Sequence, residues 1–399
     1  MVNKLTKVRK IVHLGLLQRI LLAIVLGIVL GLFVPQWFVR VFMTFNALFS
    51  QFLGFLIPLI IVGLVTPAIA DIGKGAGKML VAALLISYAD TVVSALLGYG
   101  TGSVVFPHII TSASALPHFA KGAGVTPYFT LTIPPMLDVM TALVFAFLMG
   151  LGIAYGNLIT LKDVFVQFKY IITKTIERAL VPLLPLYIFG IFLNMAYTGE
   201  AARVVVVFAQ VILVILVLHV VVLLYEFLLA GGFVRRNPLK LLLTMLPAYL
   251  TALGTSSSAA TIPVTLNQTI KNGVDKSIAS FTIPLCATVH LSGSAMKITT
   301  CALAISMLTG KSADFGLFFY FILMLAIMMV AAPGVPGGAI MAALAPLGSI
   351  LGFGSEAQAL MIALYITMDS FGTACNVTGD GAIALVMDKL FGKRKKCVA

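Results

Sequence analysis

Residues 368–380 read Met-Asp-Ser-Phe-Gly-Thr-Ala-Cys-Asn-Val-Thr-Gly-Asp, and the spacing of their polar groups decides what kind of protein this is. At about 100° per residue, Asp369, Thr373, Asn376 and Asp380 fall on one face of a helix. The stretch continues the apolar run 357–367 and leads to a basic tail. A carboxylate facing lipid costs several kcal/mol, so this face must look into protein, water or a bound cation. The plain alternative is a structural polar seam between helices. Two acids, an amide and a hydroxyl aligned over about three turns fit a binding face better.

The surrounding chain has the composition of a polytopic membrane protein. Of 399 residues, 61% are hydrophobic and only 10% charged, with a mean hydropathy of +1.12. A soluble chain carries about a quarter charged residues. The formal net charge of +13 is not a nucleic-acid footprint, because its cations gather at ends and loops. The clusters are Lys4, Lys7, Arg9 and Lys10; Arg235, Arg236 and Lys240; and Lys393, Arg394, Lys395 and Lys396. The positive-inside rule puts all three in the cytoplasm, so an even number of crossings and two cytoplasmic termini are expected. No small-residue cleavage site follows the long first apolar run, so a cleavable signal peptide is not expected. Cys286, Cys301, Cys375 and Cys397 form no CxxC pair and three lie in apolar segments. They read as small core residues rather than a disulfide or metal framework.

In chain order, Leu14–Pro35 and Val41–Ala70 read as helices, and Met79–Phe106 as a third carrying Asp90 at mid-span. Pro107–Pro127 reads as a polar external loop. Tyr128–Thr160 is a fourth hydrophobic region interrupted by Pro134 and Pro135, followed by Val164–Tyr197 and the Val/Leu-rich Arg203–Phe233. From Pro238 the texture changes to short apolar runs cut by Gly, Pro and Ser. Leu241–Leu253 and Val264–Ile270 flank Thr255–Pro263, and each limb is too short for a bilayer of about 30 Å. Phe315–Val330 and Ala339–Leu351 flank Ala331–Gly338 in the same way. Such tips must lie in protein or at a water-filled cavity. Between and after these two hairpins, Ile278–Leu308 is broken at 286–294 and Ala357–Leu390 carries the opening motif. Paired interrupted segments in corresponding positions point to a transporter's midplane site.

The motifs resemble the dicarboxylate/amino-acid:cation symporter family, the glutamate-transporter homologues, with a character nearest its neutral, serine/threonine-type members. Thr255–Pro263 (TSSSAATIP) is similar to the family's first hairpin tip. Gly334–Met341 (GVPGGAIM) resembles the second, one residue short of the commonest pattern, and Asn376–Asp380 (NVTGD) matches the last-helix signature. The resemblance implies an all-α membrane fold of eight transmembrane helices plus two re-entrant hairpins, working as a homotrimeric elevator in the cytoplasmic (inner) membrane. Residues 1–237 would be mainly scaffold and trimerisation helices, with the third helix moving with the transport domain. Residues 238–391 would form the transport domain and 392–399 a cytoplasmic basic tail.

The same resemblance implies residue roles. Backbone N–H groups at the tips, at Ser257, Ser258, Val335 and Gly337, suit a substrate carboxylate, because helix N-termini favour negative charge. Asn376 adds an amide donor, Asp369 matches the aspartate that binds the α-ammonium, and Thr373 lies beside it. Acidic-substrate carriers place an arginine where this chain has Gly372, and Ser256 stands where other members place theirs. No Arg or Lys lies in 357–388. A distal carboxylate would lack a partner, Gly372 leaves room for volume, and Ser294 can bond a hydroxyl. Serine, threonine or alanine are therefore the expected substrates. The alternative is an acidic amino acid or a dicarboxylate.

On the cation side, Asp380, the Asn376 carbonyl and the Cys286 carbonyl resemble one sodium site, hard oxygen ligands for a hard cation. Thr288, Met329, Val330 and Ala332 occupy the places of a second, which rests mainly on backbone carbonyls. A third should be lost, because the family's N-M-D-G-T reads His290-Leu-Ser-Gly-Ser294 here. The aligned third-helix ligands, read as Ala83, Ile86 and Ser87, keep only the last. His290 or Lys297, paired with Asp90, would then replace the missing cation, which makes a proton-coupled or sodium-reduced carrier the alternative. A structural hydrogen bond or a snorkelling lysine is the bland reading of both. His219 and Glu226, seven apart on one helix, read as helix contacts rather than ligands, and His13, His108 and His118 sit at edges or in the loop. The partners expected are an amino acid, sodium ions (or protons) and lipid, with no nucleic acid and no further cofactor. A channel would need a continuous polar stripe, whereas polarity gathers at four breaks. An enzyme would need a nucleophile context that Thr255–Ser258 lacks.

Overall fold

Helix starts follow the capping side chains the chain offers. Asp138 accepts from the Met140 and Thr141 N–H groups, Asn237 from Lys240 just before Pro238, and Ser257 from Ala260. Asp275 and Asp314 do the same for Ser277 and Leu317. Each satisfies N–H groups that a helix start leaves without an internal partner. The computed structural model describes residues 15–71, 77–110, 125–332 and 336–392. His13, His118, Val335, Cys397 and the two terminal basic clusters lie outside the described residues.

Among the described residues the regular structure is entirely helical. It comprises α1 (Leu16–Gly31), α2 (Gln36–Asp71), α3 (Lys78–Ile109), α4 (Val139–Gly156), α5 (Ile159–Thr175), a π turn (Ile176–Leu180) and α6 (Val181–Tyr197). Then follow α7 (Ala201–Val234), α8 (Pro238–Thr255), α9 (Ser258–Lys271), α10 (Lys276–Val289), α11 (Ser292–Leu308) and α12 (Phe315–Val330). The last three are α13 (Gly338–Ser349), α14 (Ser355–Thr367) and α15 (Asp369–Phe391). By length and composition, six continuous stretches could cross a membrane, and α14 with α15, bent by 63°, would make a seventh. At 16 residues, α1 rises about 24 Å, short of a bilayer core of about 30 Å.

Several expected boundaries move. Helix α3 runs through Pro107 to Ile109, since a proline in a last turn removes a single donor. The fourth apolar region begins only at Val139. Residues 125–138 are non-helical, with Pro134 and Pro135 among them, and Asp138 starts the helix. The stretch 159–197 is one long rod whose π turn directly precedes Pro182. An extra residue in one turn is a common response to a helix-interior proline or local strain.

Two packing groups result. Helices α2, α4, α5 and α6 pack together, with α1 lying along α6. In the other group, α15 is buried on nearly every side, against α7, α8, α9, α10 and α11, and α3 lies along α11. Helix α7 therefore belongs by contact with the second half of the chain. Helix α8 packs along α9 and α12 along α13, so the chain turns back at each of these junctions, and α10/α11 and α14/α15 are also interrupted.

Candidate functional site

Four breaks in regular structure converge. At the first tip, Ser256 adopts a left-handed backbone (φ 51°) and Ser257 caps α9. At the second, Gly337 is left-handed at φ 74°. His290 and Leu291 are non-helical between α10 and α11, and the chain bends at Met368 between α14 and α15. A cavity of about 30 Å³ lies among them, lined by Ser256, Ser258, Thr288, Ser294, Asp369, Thr373 and Asn376, with Ala287, Leu291, Ala332, Ala339 and Tyr365. A larger cleft of about 490 Å³ shares Ser256 and Asp369 and extends to Gln18, Thr255, Pro336 and Ser370. Of the polar face read from the last helix, Asp369, Thr373 and Asn376 line this cavity, and Asp380 does not.

Asp369 opens α15, where a carboxylate complements the helix N-terminus. Its Oδ2 accepts the Gly337 N–H at 2.9 Å, so it ties the second tip directly to α15. Its Oδ1 lies 3.8 Å from Lys297 Nζ. Lys297 is wholly buried. It donates to the Met368 carbonyl at 3.1 Å and the Tyr365 carbonyl at 3.4 Å, and sits 3.5 Å from the centre of the Tyr365 ring. The bend frees the last carbonyls of α14, and an ammonium group is a suitable cap for them.

That arrangement revises one expectation. The space left at Gly372 is not open for substrate: a Cβ there would stand 2.8 Å from Lys297 Nζ. A cation does occupy the region where acidic-substrate carriers hold an arginine, but it arrives from α11 instead of α15. Its pairing with Asp90 is not seen either, since Lys297 turns to Asp369.

The remaining substrate-side residues gather round the cavity. Asn376 Oδ1 accepts the Ser294 N–H at 3.2 Å, and its Nδ2 donates to Ser294 Oγ at 3.0 Å. Ser294 Oγ also contacts the Tyr365 hydroxyl at 3.2 Å. Asn376 thus caps the start of α11, with one amide hydrogen left for another acceptor. Thr373 Oγ1 donates to the Asp369 carbonyl at 3.0 Å. Ser258 is buried on the cavity wall, whereas Ser257 is used as the cap of α9.

The cation-side residues separate into two places. Thr288 and Ala332 line the cavity, with Met329 and Val330 ending α12. The Cys286 carbonyl accepts the His290 N–H at 2.8 Å as the last turn of α10 closes. Asp380 is deeper. His290 Nδ1 lies 3.0 Å from Asp380 Oδ1, and His290 Nε2 lies 2.8 Å from Asp90 Oδ2. With both carboxylates ionised, both ring nitrogens donate and the ring is an imidazolium. Asp380 Oδ2 stays buried and reached by no hydrogen bond.

Glu226 makes the helix contact expected of it, with Ser292 on α11, and it also stands beside Asp90 and His290. Its Oε1 accepts from Ser292 Oγ at 2.7 Å. Ligand atoms of Asp90, Glu226 and His290 all lie within 4.8 Å of one another. A buried acid in a Val/Leu-rich helix was the signal that could have flagged it. Room for it comes from Gly379, where a Cβ would fall on the Glu226 carboxylate. Gly379→Ala should therefore destabilise the protein by about 1–3 kcal/mol through overpacking. Gly232→Ala, with nothing near its added Cβ, should change stability by no more than about 1 kcal/mol. Thermal unfolding in detergent measures both, and equal midpoints would remove the steric account.

Comparison with known proteins places this geometry. The model of the sodium:dicarboxylate symporter family matches residues 16–390. The chain belongs to this family. As members of it are symporters, the chain is not an enzyme. Over 396 residues it is 26% identical to the serine/threonine transporter SstT of Enterococcus faecalis, covering 94% of this chain and 91% of that protein. It is 28% identical over 245 residues to an excitatory amino acid transporter of Caenorhabditis elegans, covering 59% of this chain and 48% of the relative. With excitatory amino acid transporter 3 of Mus musculus it shares 35% over 161 residues, which is 40% of this chain and 31% of the relative. The chain thus spans about half or less of the length of these two animal relatives.

Proposed function

We propose that the protein is a cation-coupled symporter of small neutral amino acids such as serine, threonine or alanine. The observation that carries this reading is the cavity between the two tips. There the Asp369 carboxylate, which accepts the Gly337 N–H and faces Lys297, would turn to a substrate ammonium and free that N–H, together with the one at Ser258, for a carboxylate, while Ser294 and Thr373 would meet a hydroxyl. Lys297 favours a neutral side chain, because its charge is already matched by Asp369 and two carbonyls. A distal carboxylate would have to break that pairing at a cost of several kcal/mol. The full-length likeness to a serine/threonine transporter agrees with this reading.

The fold would be eight transmembrane helices plus two re-entrant hairpins, α8/α9 and α12/α13, in a multi-pass cytoplasmic-membrane homotrimer with both termini inside. Packing supports an elevator whose moving body is α3 with α7–α15, and whose scaffold is α1, α2 and α4–α6. Sodium would bind at Asp380 with the carbonyls of Asn376 and Cys286, and a second ion near Thr288, Met329, Val330 and Ala332. Asp380 Oδ2, buried without a partner, supports the first of these. A sodium-reduced variant is the second reading, favoured by the position of His290 between Asp90 and Asp380.

Proteoliposomes under an inward sodium gradient test the substrate. Serine, threonine or alanine should accumulate at least about tenfold faster than aspartate or succinate, the equivalent of about 1.4 kcal/mol. Preferred uptake of aspartate or succinate would overturn the neutral-substrate reading, and no dependence on any cation gradient would overturn symport.

A further inference from the structure

We propose that Asp90, Glu226 and His290 form a binding site for a divalent transition-metal ion, separate from the sodium positions above. Three helices contribute to it. Asp90 comes from α3, Glu226 from α7, and His290 from the α10–α11 break. All three are buried or nearly so, with His290 completely enclosed. The offered atoms lie within 4.8 Å of one another. Ligands of a tetrahedral zinc at about 2.0–2.2 Å would stand about 3.4 Å apart, so only small side-chain movements are needed.

Two observations go beyond a cluster of acids. The first is Glu226 Oε2, buried and reached by no donor, while Oε1 is held by Ser292. A carboxylate oxygen left that way in a protein interior is costly, and either a proton or a cation must meet it. The second is the orientation of the histidine. Its Nδ1 faces Asp380 Oδ1 and its Nε2 faces the acids. A metal-binding imidazole characteristically donates its other ring N–H to a carboxylate, which fixes its tautomer and raises its basicity as a ligand. Asp380 plays that part here. The Nε2 proton now shared with Asp90 would leave as the ion arrives, and Nε2 would donate its lone pair to the metal.

The chemistry of the donors selects the class of ion. One imidazole with two carboxylates suits zinc and its first-row neighbours better than calcium or magnesium, which take oxygen ligands. Charge agrees as well: Asp90 and Glu226 would together neutralise a divalent ion bound to a neutral imidazole. The ion would tie α3 and α7 to the broken helix.

Tag-free full-length protein in detergent provides the test, with zinc and cobalt chlorides as probes. Isothermal titration should show one zinc site, with a proton released on binding that appears as a buffer-dependent heat. Cobalt should give visible absorption bands that zinc abolishes. Glu226→Gln should weaken zinc binding at least about tenfold, and His290→Asn should remove both the bands and the proton release. Asp314→Asn, far from the cluster and outside any proposed site, should leave all three signals unchanged. Zinc binding that is equal in wild type, Glu226→Gln and His290→Asn would overturn the proposal, as would no zinc heat in the wild type. Thermal midpoints without metal show whether each variant is folded. Should His290→Asn not fold, Glu226→Gln with the cobalt spectrum decides alone. Because binding is read without transport, the result is independent of whether the substrate assignment holds.

Discussion

Asp369→Asn should lower substrate affinity at least about tenfold and lower stability at the same time. In the ground state this carboxylate accepts the Gly337 N–H and faces Lys297. It is also the only acid lining the described cavity. Loss of a charge-assisted hydrogen bond to a substrate ammonium costs about 1.5–3 kcal/mol, which is roughly a ten- to hundred-and-fifty-fold fall in affinity. A second cost falls on the protein itself. Lys297 is fully buried, and a buried ion deprived of its partner destabilises by about 3–5 kcal/mol. Uptake of radiolabelled serine and thermal unfolding read these two effects separately.

A double substitution separates them further. With Asp369→Asn and Lys297→Met together, the orphaned charge is gone, so stability should recover most of what the single variant loses. Uptake should not recover, because the ammonium group of the substrate still lacks its acceptor. Recovery of uptake in the double variant would show that Asp369 serves only Lys297, and substrate recognition would have to be assigned elsewhere. A single variant that transports normally would exclude Asp369 from the site.

The part of this arrangement that could be read in the chain is the part governed by local periodicity. Asp369, Thr373, Asn376 and Asp380 lie three or four residues apart, and that spacing determines a common helix face in any fold. The interruptions at 254–263, 286–294 and 331–338 were equally legible, because Gly, Pro and Ser clusters cannot continue a membrane helix without a polar surrounding. What could not be read was which helix faces which break. Lys297 fills the volume at Gly372 only because α11 runs past the α14–α15 bend, and no spacing rule links residues 75 apart. The partners of Glu226 were hidden for the same reason: on its own helix it is a lone acid among Val and Leu, and Ser292, Asp90 and Gly379 reach it from other elements. The span of α3 and the start of α4 moved because a proline can be tolerated in a last helical turn, and because a capping aspartate outweighs apolar composition in deciding where a helix begins.

His290→Asn should convert the carrier to a steeper sodium dependence. The imidazole stands between Asp90 at 2.8 Å and Asp380 at 3.0 Å, with Glu226 beside it. Removing it leaves three carboxyl groups and no basic side chain between them. Uncompensated buried charge of this kind costs about 3–5 kcal/mol, and a bound ion recovers that energy in proportion to its concentration over its dissociation constant. The asparagine carboxamide offers an oxygen, which a hard cation accepts where it would not displace a ring N–H. The variant should therefore unfold at a lower temperature than wild type in choline chloride and regain stability as sodium is added. Its uptake should need about one more sodium ion, seen as a larger Hill coefficient for sodium at saturating serine. Adding Asp90→Asn to His290→Asn should reverse the effect, because it removes one of the stranded charges. Lys297→Ala, which leaves the imidazole in place, should keep the wild-type sodium dependence. If His290→Asn and wild type share the same sodium and pH dependence and the same unfolding temperature without sodium, the histidine is a packing residue and the missing cation is supplied from elsewhere.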